Sequence, residues 1–159
     1  PTKVSGDFSF ANIEVGDYHV CGLSIVVGGG KVLCWGGAFG AIGSNNNSYA
    51  NNAILVPTEV PGLKGKLFGQ IATRESINCG IESDTRLMYC WGGLLQPTSV
   101  LDAATDGNFK PVSEVLKFDQ VIIGGWNNIC GISGGKIYCF KRRINDVEGG
   151  TTEPSLFYH

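Results

Sequence analysis

The chain of 159 residues fits one ordinary domain, and its 43% hydrophobic and 16% charged residues place it among globular chains, not disordered ones. A net charge of −2, a pI near 5.6 and no basic block longer than Lys141-Arg142-Arg143 argue against a nucleic-acid partner, which needs a larger electrostatic footprint. No apolar run approaches the ~20 residues of a membrane helix, so no membrane span is expected in this segment.

In chain order, Pro1-Thr2-Lys3-Val4 reads as a Pro-led outer strand of a blade, standing before the first hairpin. With neither an initiator Met nor a signal peptide before Pro1, the expectation is a chain that was processed, trimmed or taken from a longer polypeptide. An inner strand over residues 11–15 leads to Ile13-Glu14-Val15-Gly16-Asp17-Tyr18-His19-Val20-Cys21-Gly22-Leu23, a Gly-rich turn at Gly28-Gly29-Gly30, and a second strand, Lys31-Val32-Leu33-Cys34-Trp35-Gly36. A polar insert over residues 38–53 separates this hairpin from a Pro-led strand, Pro57-Thr58-Glu59-Val60. The pattern then returns. Ile71 to Ile81 ends in Cys79-Gly80-Ile81, the partner strand is Arg86-Leu87-Met88-Tyr89-Cys90-Trp91-Gly92, and Pro111-Val112-Ser113-Glu114-Val115 follows. Between them only residues 100–105 have room for a helical turn or two. A third copy runs through Cys130-Gly131-Ile132 and Lys136-Ile137-Tyr138-Cys139-Phe140-Lys141 to Glu153-Pro154-Ser155-Leu156.

Each copy is thus a β-hairpin with a cysteine on each arm, closed by a strand containing Pro, a residue confined to edge strands, strand starts and bulges. The cysteines stand 13, 11 and 9 residues apart, and none forms the Cys-x-x-Cys knuckle of a zinc site. Six cysteines allow about fifteen pairings, but the repeat favours Cys21–Cys34, Cys79–Cys90 and Cys130–Cys139. Disulfides persist in oxidising compartments, so the chain reads as extracellular, secreted or at the cell surface. Asn46-Asn47-Ser48 is a candidate N-glycosylation site at Asn46 and agrees with that. The 24 glycines suit many turns between short strands. A period of about 50 residues lies in the range of four-stranded propeller blades. The expected fold is therefore all-β, three tandem four-stranded antiparallel blades, with repeats at about 5–60, 61–115 and 116–159 and with Trp35, Trp91 and Phe140 packed between blades.

The order Gly16-x-x-His19-x-Cys21-Gly22-Leu23, Val32-Leu33-Cys34-Trp35-Gly36, Gly40-x-x-Gly43 and Pro57-x-x-Val60 resembles an RCC1-type repeat. The paired cysteines resemble the variant found in crinkly-type receptor ectodomains. Copy two departs from the pattern with Arg74 and Ile77 in place of Gly and His, and copy three with Phe140-Lys141 in place of Trp-Gly. The resemblance implies a propeller of six or seven blades and no shared activity, since the fold hosts exchange factors, inhibitors, photoreceptors and receptor ectodomains. Three repeats do not close such a ring, so further blades of the same polypeptide or other copies of the chain are the expected partners.

No residue pattern asks for catalysis. His19 has no repeated nucleophile or carboxylate beside it, and in RCC1-type repeats this His tends to be structural. Glu14 and Asp17 read as solvated strand ends. Gly28-Gly29-Gly30-Lys31 lacks the strand-to-helix setting of a phosphate loop and reads as a hairpin turn. Residues 102–106 lack the alternating ligands of a calcium loop. Lys141-Arg142-Arg143 reads as a solvated edge. No metal or cofactor is expected. The insert, with Asn47, Tyr49 and Asn51, is the candidate recognition loop for a peptide, glycan or protein ligand. The expected function is a non-enzymatic structural or adhesive module, and the alternative is a fragment of a ligand-binding receptor ectodomain.

Overall fold

The structure is a computed structural model and describes residues 3–37, 53–92, 109–125, 128–141 and 155–156. These residues form three antiparallel sheets. The first orders β1 (Phe10–Val15), β2 (His19–Ser24), β3 (Val32–Gly36) and β4 (Ile54–Glu59) side by side. The second holds β5 (Phe68–Arg74), β6 (Ile77–Glu82) and β7 (Met88–Gly92). The third holds β8 (Gln120–Ile123), β9 (Asn128–Ser133), β10 (Lys136–Lys141) and β11 (Ser155–Leu156). A 3-10 turn at Pro61–Leu63 opens on Pro61, where a missing N–H costs nothing. Residues 100–105, the one stretch with room for a helical turn or two, lie outside the described residues.

The hairpins have the same register. Cys21 faces Cys34, Cys79 faces Cys90 and Cys130 faces Cys139, each pair bridged with Cα atoms 4.1, 4.0 and 4.0 Å apart. Because side chains alternate along a strand, this register divides each sheet into two faces. The forward face carries the disulfide, and the rear face carries the aromatic residue after the second cysteine. Buried clusters join the forward face of one sheet to the rear face of the next. Cys21, Leu23, Val32, Cys34 and Val60 pack with Phe68, Ile71, Tyr89 and Trp91. Cys79, Ile81, Met88, Cys90 and Val112 pack with Phe118, Val121 and Ile123. A backbone stitch repeats with each step: Phe68 N–H donates to Gly30 C=O at 2.8 Å, and Phe118 N–H donates to Arg86 C=O at 2.8 Å.

The glycine of Cys-Gly-(Leu/Ile) has a packing reason. A methyl group at Gly22, Gly80 or Gly131 would lie 2.6, 2.7 or 2.6 Å from a ring carbon of Phe10, Phe68 or Phe118, so a phenylalanine from the inner edge of the same sheet packs against each glycine. Gly80→Ala should cost about 1–3 kcal/mol by overpacking, because Phe68 is fully buried and its ring has nowhere to go. Gly22→Ala should cost clearly less, because the half-buried Phe10 can swing toward solvent. Equal shifts in the two urea unfolding midpoints would contradict this account.

Two expectations need correction. The second sheet has three strands among the described residues, not four: its outer edge is the isolated bridge Tyr89–Pro111. Pro111 has no N–H to extend a ladder, and the next residue makes the contact, Val112 N–H donating to Met88 C=O at 2.7 Å. That bond is the counterpart of Val60 N–H to Val32 C=O at 3.1 Å, so Val112 takes the place of Val60 and Pro111 that of Glu59. The prolines of copies one and two are therefore two positions out of register. The second correction concerns Trp35, which is only half-buried and packs against Phe10 with the rings tilted by 32° and their centroids 5.4 Å apart. Trp91 is buried as expected, while Phe140 takes the equivalent position and is half-buried.

Candidate functional site

Of the sequence candidates, His19 is the one the fold places at a junction. It starts β2, and its ring reaches across the seam into the second sheet, where Nε2–H donates to Asn78 Oδ1 at 2.7 Å. Thr73 Oγ1 donates to the same oxygen at 3.0 Å. His19 is 3% exposed and Asn78 0%, so the pair is out of water. The backbone closes the same corner: Asp17 N–H donates to Glu75 C=O at 3.0 Å, and a Cβ at Gly16 would lie 2.6 Å from that oxygen. Nδ1 of His19 has no hydrogen-bond partner among the described residues, which fits a neutral ring. Burial pushes the imidazole pKa below its ordinary 6.5, against the opposing pull of Asn78 and of the Asp17 carboxylate.

A measurable pH dependence follows from that direction. The unfolded chain binds the His19 proton more tightly than the folded one, so stability rises with pH through this region. The contribution is full above the unfolded value of about 6.5 and declines as pH falls below it toward the folded pKa. The urea midpoint is expected to drop between pH 7 and pH 5, and His19→Gln to flatten that part of the profile. An unchanged slope in the variant would contradict the assignment.

Other candidates resolve differently. Asp17 is exposed in the turn between β1 and β2, and Glu14 is half-buried on β1. Gly28 and Gly29 adopt positive φ (87° and 139°) in the turn between β2 and β3, and Lys31 pairs with Glu59 at 3.3 Å. This is a hairpin turn followed by a strand. Asn46, Asn47, Tyr49 and Asn51, residues 102–106, and Arg142 and Arg143 lie outside the described residues. Among the described residues no group of three or more His, Cys, Asp and Glu is placed to hold a metal ion, and no helix is long and apolar enough to cross a membrane.

A cleft that the sequence did not advertise opens where the second and third sheets meet. It has a volume of about 430 Å3 and is lined by Gly69, Gln70, Ile81, Glu82, Ser83, Arg86, Phe118 and Asp119. Its charges are answered locally. Arg86 pairs with Asp119 across the seam, Glu82 with Lys66 at 3.1 Å, and Gln70 Oε1 accepts from Val121 N–H at 3.0 Å. The side chains there fasten one sheet to the next. Asn78, Arg86 and Asp119 escaped sequence reasoning because their partners lie 59 and 33 residues away, in another repeat.

Disulfide-clipped antiparallel sheets packed forward face to rear face make this an all-β protein of β-propeller fold. No protein-family model matches the chain. Solved propellers do. Human WBSCR16 matches with a TM-score of 0.64 and 20% identity over 96% of this chain and 38% of that one. The ectodomain of the Arabidopsis thaliana receptor kinase ACR4 matches with a TM-score of 0.54 and 19% identity over 88% of this chain and 39% of that one. Prp20p of Saccharomyces cerevisiae, the yeast RCC1, matches with a TM-score of 0.59 and 16% identity over 82% of this chain and 33% of that one. The chain thus spans between a third and two fifths of each of these proteins, and the likeness is one of fold.

Proposed function

We propose that the chain is three successive propeller blades, at about residues 5–60, 61–115 and 116–159, of a non-enzymatic extracellular module that assembles through its blade faces. The observation that carries this reading is the state of the two outward faces. Ile13 on the rear of the first sheet is 55% exposed where its counterpart Ile71 is 3%, and Ile137 on the front of the third is 52% exposed where Met88 is 0%. Apolar sheet faces of that kind are normally covered by another layer. Three disulfides support an oxidising compartment. Further blades of the same polypeptide, or other chains, supply the cover and make the structural or adhesive contact.

Native mass under non-reducing conditions tests this reading. A longer source polypeptide or a multimer is expected. A source protein that is itself a 159-residue monomer, with no further blade and no partner chain, overturns it. The second reading, a receptor ectodomain that binds a peptide or glycan, draws support from the ACR4 ectodomain match. A membrane span elsewhere in the source polypeptide, with ligand binding lost on deleting residues 38–53, separates it from the first.

A further inference from the structure

We propose that one position in each seam acts as an address that decides which blade docks on which, and that the free faces of this chain call for partners unlike itself. The proposal rests on the blade reading above. The address residue lies two before the first cysteine: His19, Ile77 and Asn128, paired across their hairpins with Gly36, Gly92 and Lys141. It stands on the forward face. Its receiver on the rear face is a cross-strand pair, Val15–Val20 in the first sheet, Thr73–Asn78 in the second and Ile123–Ile129 in the third.

The two interior seams are matched in opposite ways. In the first, His19 meets Thr73 and Asn78, and all three share hydrogen bonds on Asn78 Oδ1. In the second, Ile77 lies in one buried cluster with Ile123 and Ile129. Crossing the partners would leave the buried imidazole against isoleucine without its acceptor, or take from the buried Asn78 the imidazole that hydrogen-bonds its Oδ1. A penalty on the wrong partner is how an interface acquires specificity.

The first sheet offers Val15 and Val20, an apolar receiver. The third offers Asn128, an exposed polar address whose side-chain N–H donates to Gly125 C=O at 3.1 Å. Head-to-tail docking of a second copy would press Asn128 onto two valines. The blade that covers the first sheet therefore carries Ile, Val or Leu at its address position. The blade that follows the third carries a hydrogen-bonding receiver of the Thr–Asn kind.

The test has two arms. Within one chain, His19→Ile and Asn78→Ile should each lower the unfolding midpoint by about 5 °C, and the double variant should lose less than the sum, because it restores an apolar match. This arm reads the address whether or not the chain assembles with others, so its failure is distinct from failure of the blade reading. Between chains, sedimentation equilibrium on the full chain should show Asn128→Ile self-associating about tenfold more tightly than the wild type. Val15→Thr with Val20→Asn should act in the same direction by giving Asn128 a polar receiver. Additive single effects in the first arm, or unchanged or weakened association of both variants in the second, overturn the proposal.

Discussion

Replacing Cys79 and Cys90 together with alanine is expected to lower the stability of the chain by about 3 kcal/mol, of which the chain-entropy term for so short a loop accounts for nearly all. The bridge closes a loop of 11 residues and both cysteines are 0% exposed, inside the cluster that joins the second sheet to the third. Removing it frees the hairpin in the unfolded chain and thins a packed seam in the folded one. Alanine avoids leaving serine hydroxyls unpaired in the core. The bridge Cys130–Cys139 closes 9 residues and is half-buried, so its loss should cost less, about 2.5 kcal/mol. The same difference in exposure sets the order of reduction: dithiothreitol should open Cys130–Cys139 before either of the other two bridges. Urea unfolding of the two double variants and mass mapping of partially reduced protein check both points. A Cys130/Cys139 variant less stable than the Cys79/Cys90 variant would contradict this ranking.

The hairpins were readable because their signals are local. A cysteine on each arm, a glycine-rich turn and a short apolar strand all fall within about fifteen residues, the scale on which turn chemistry and strand alternation act. What the sequence hid is what one repeat does for the next. The glycine after the first cysteine was visible in all three copies, but its reason is a phenylalanine 11 residues before the cysteine in Phe10 and Phe68 and 12 before it in Phe118, a spacing that a one-residue slip conceals. In the sequence, proline looks like the register mark of the outer strand. Yet Ser155 pairs with Cys139 as Thr58 pairs with Cys34, whereas in the second sheet Pro111 has slid to the place of Glu59. Between the first two sheets the buried valine, not the proline, keeps the register. His19 was legible as a structural residue, but its partner Asn78 aligns with Val20 and Ile129, and nothing local distinguishes an asparagine that receives a histidine from one that faces water.

Trp91→Ala should be the most damaging single substitution in the chain, at about 3–5 kcal/mol. The side chain is 1% exposed and stacks on Phe109 with ring planes 12° apart and centroids separated by 6.3 Å. It belongs to the cluster that contains the Cys21–Cys34 bridge, Leu63 and Phe68, so its indole fills the seam between the first two sheets. Truncation opens a cavity bounded by a disulfide and by strands locked in register, and these walls have little freedom to collapse. The indole N–H, which has no hydrogen-bond partner among the described residues, returns a little of that loss when removed, since its burial is already a cost. Trp35 holds the equivalent place one sheet earlier but is half-buried against Phe10, so Trp35→Ala should cost no more than about 1.5 kcal/mol in the isolated chain, less than burying a large apolar side chain in full returns. Once a further blade covers the first sheet, the Trp35 penalty should rise toward that of Trp91. Unfolding midpoints of both variants, measured on the 159-residue chain alone and with a further blade docked on its first sheet, separate the two situations. Equal penalties for Trp35 and Trp91 in the isolated chain would mean that the rear face of the first sheet is already covered, and the case for a docking blade there would fall.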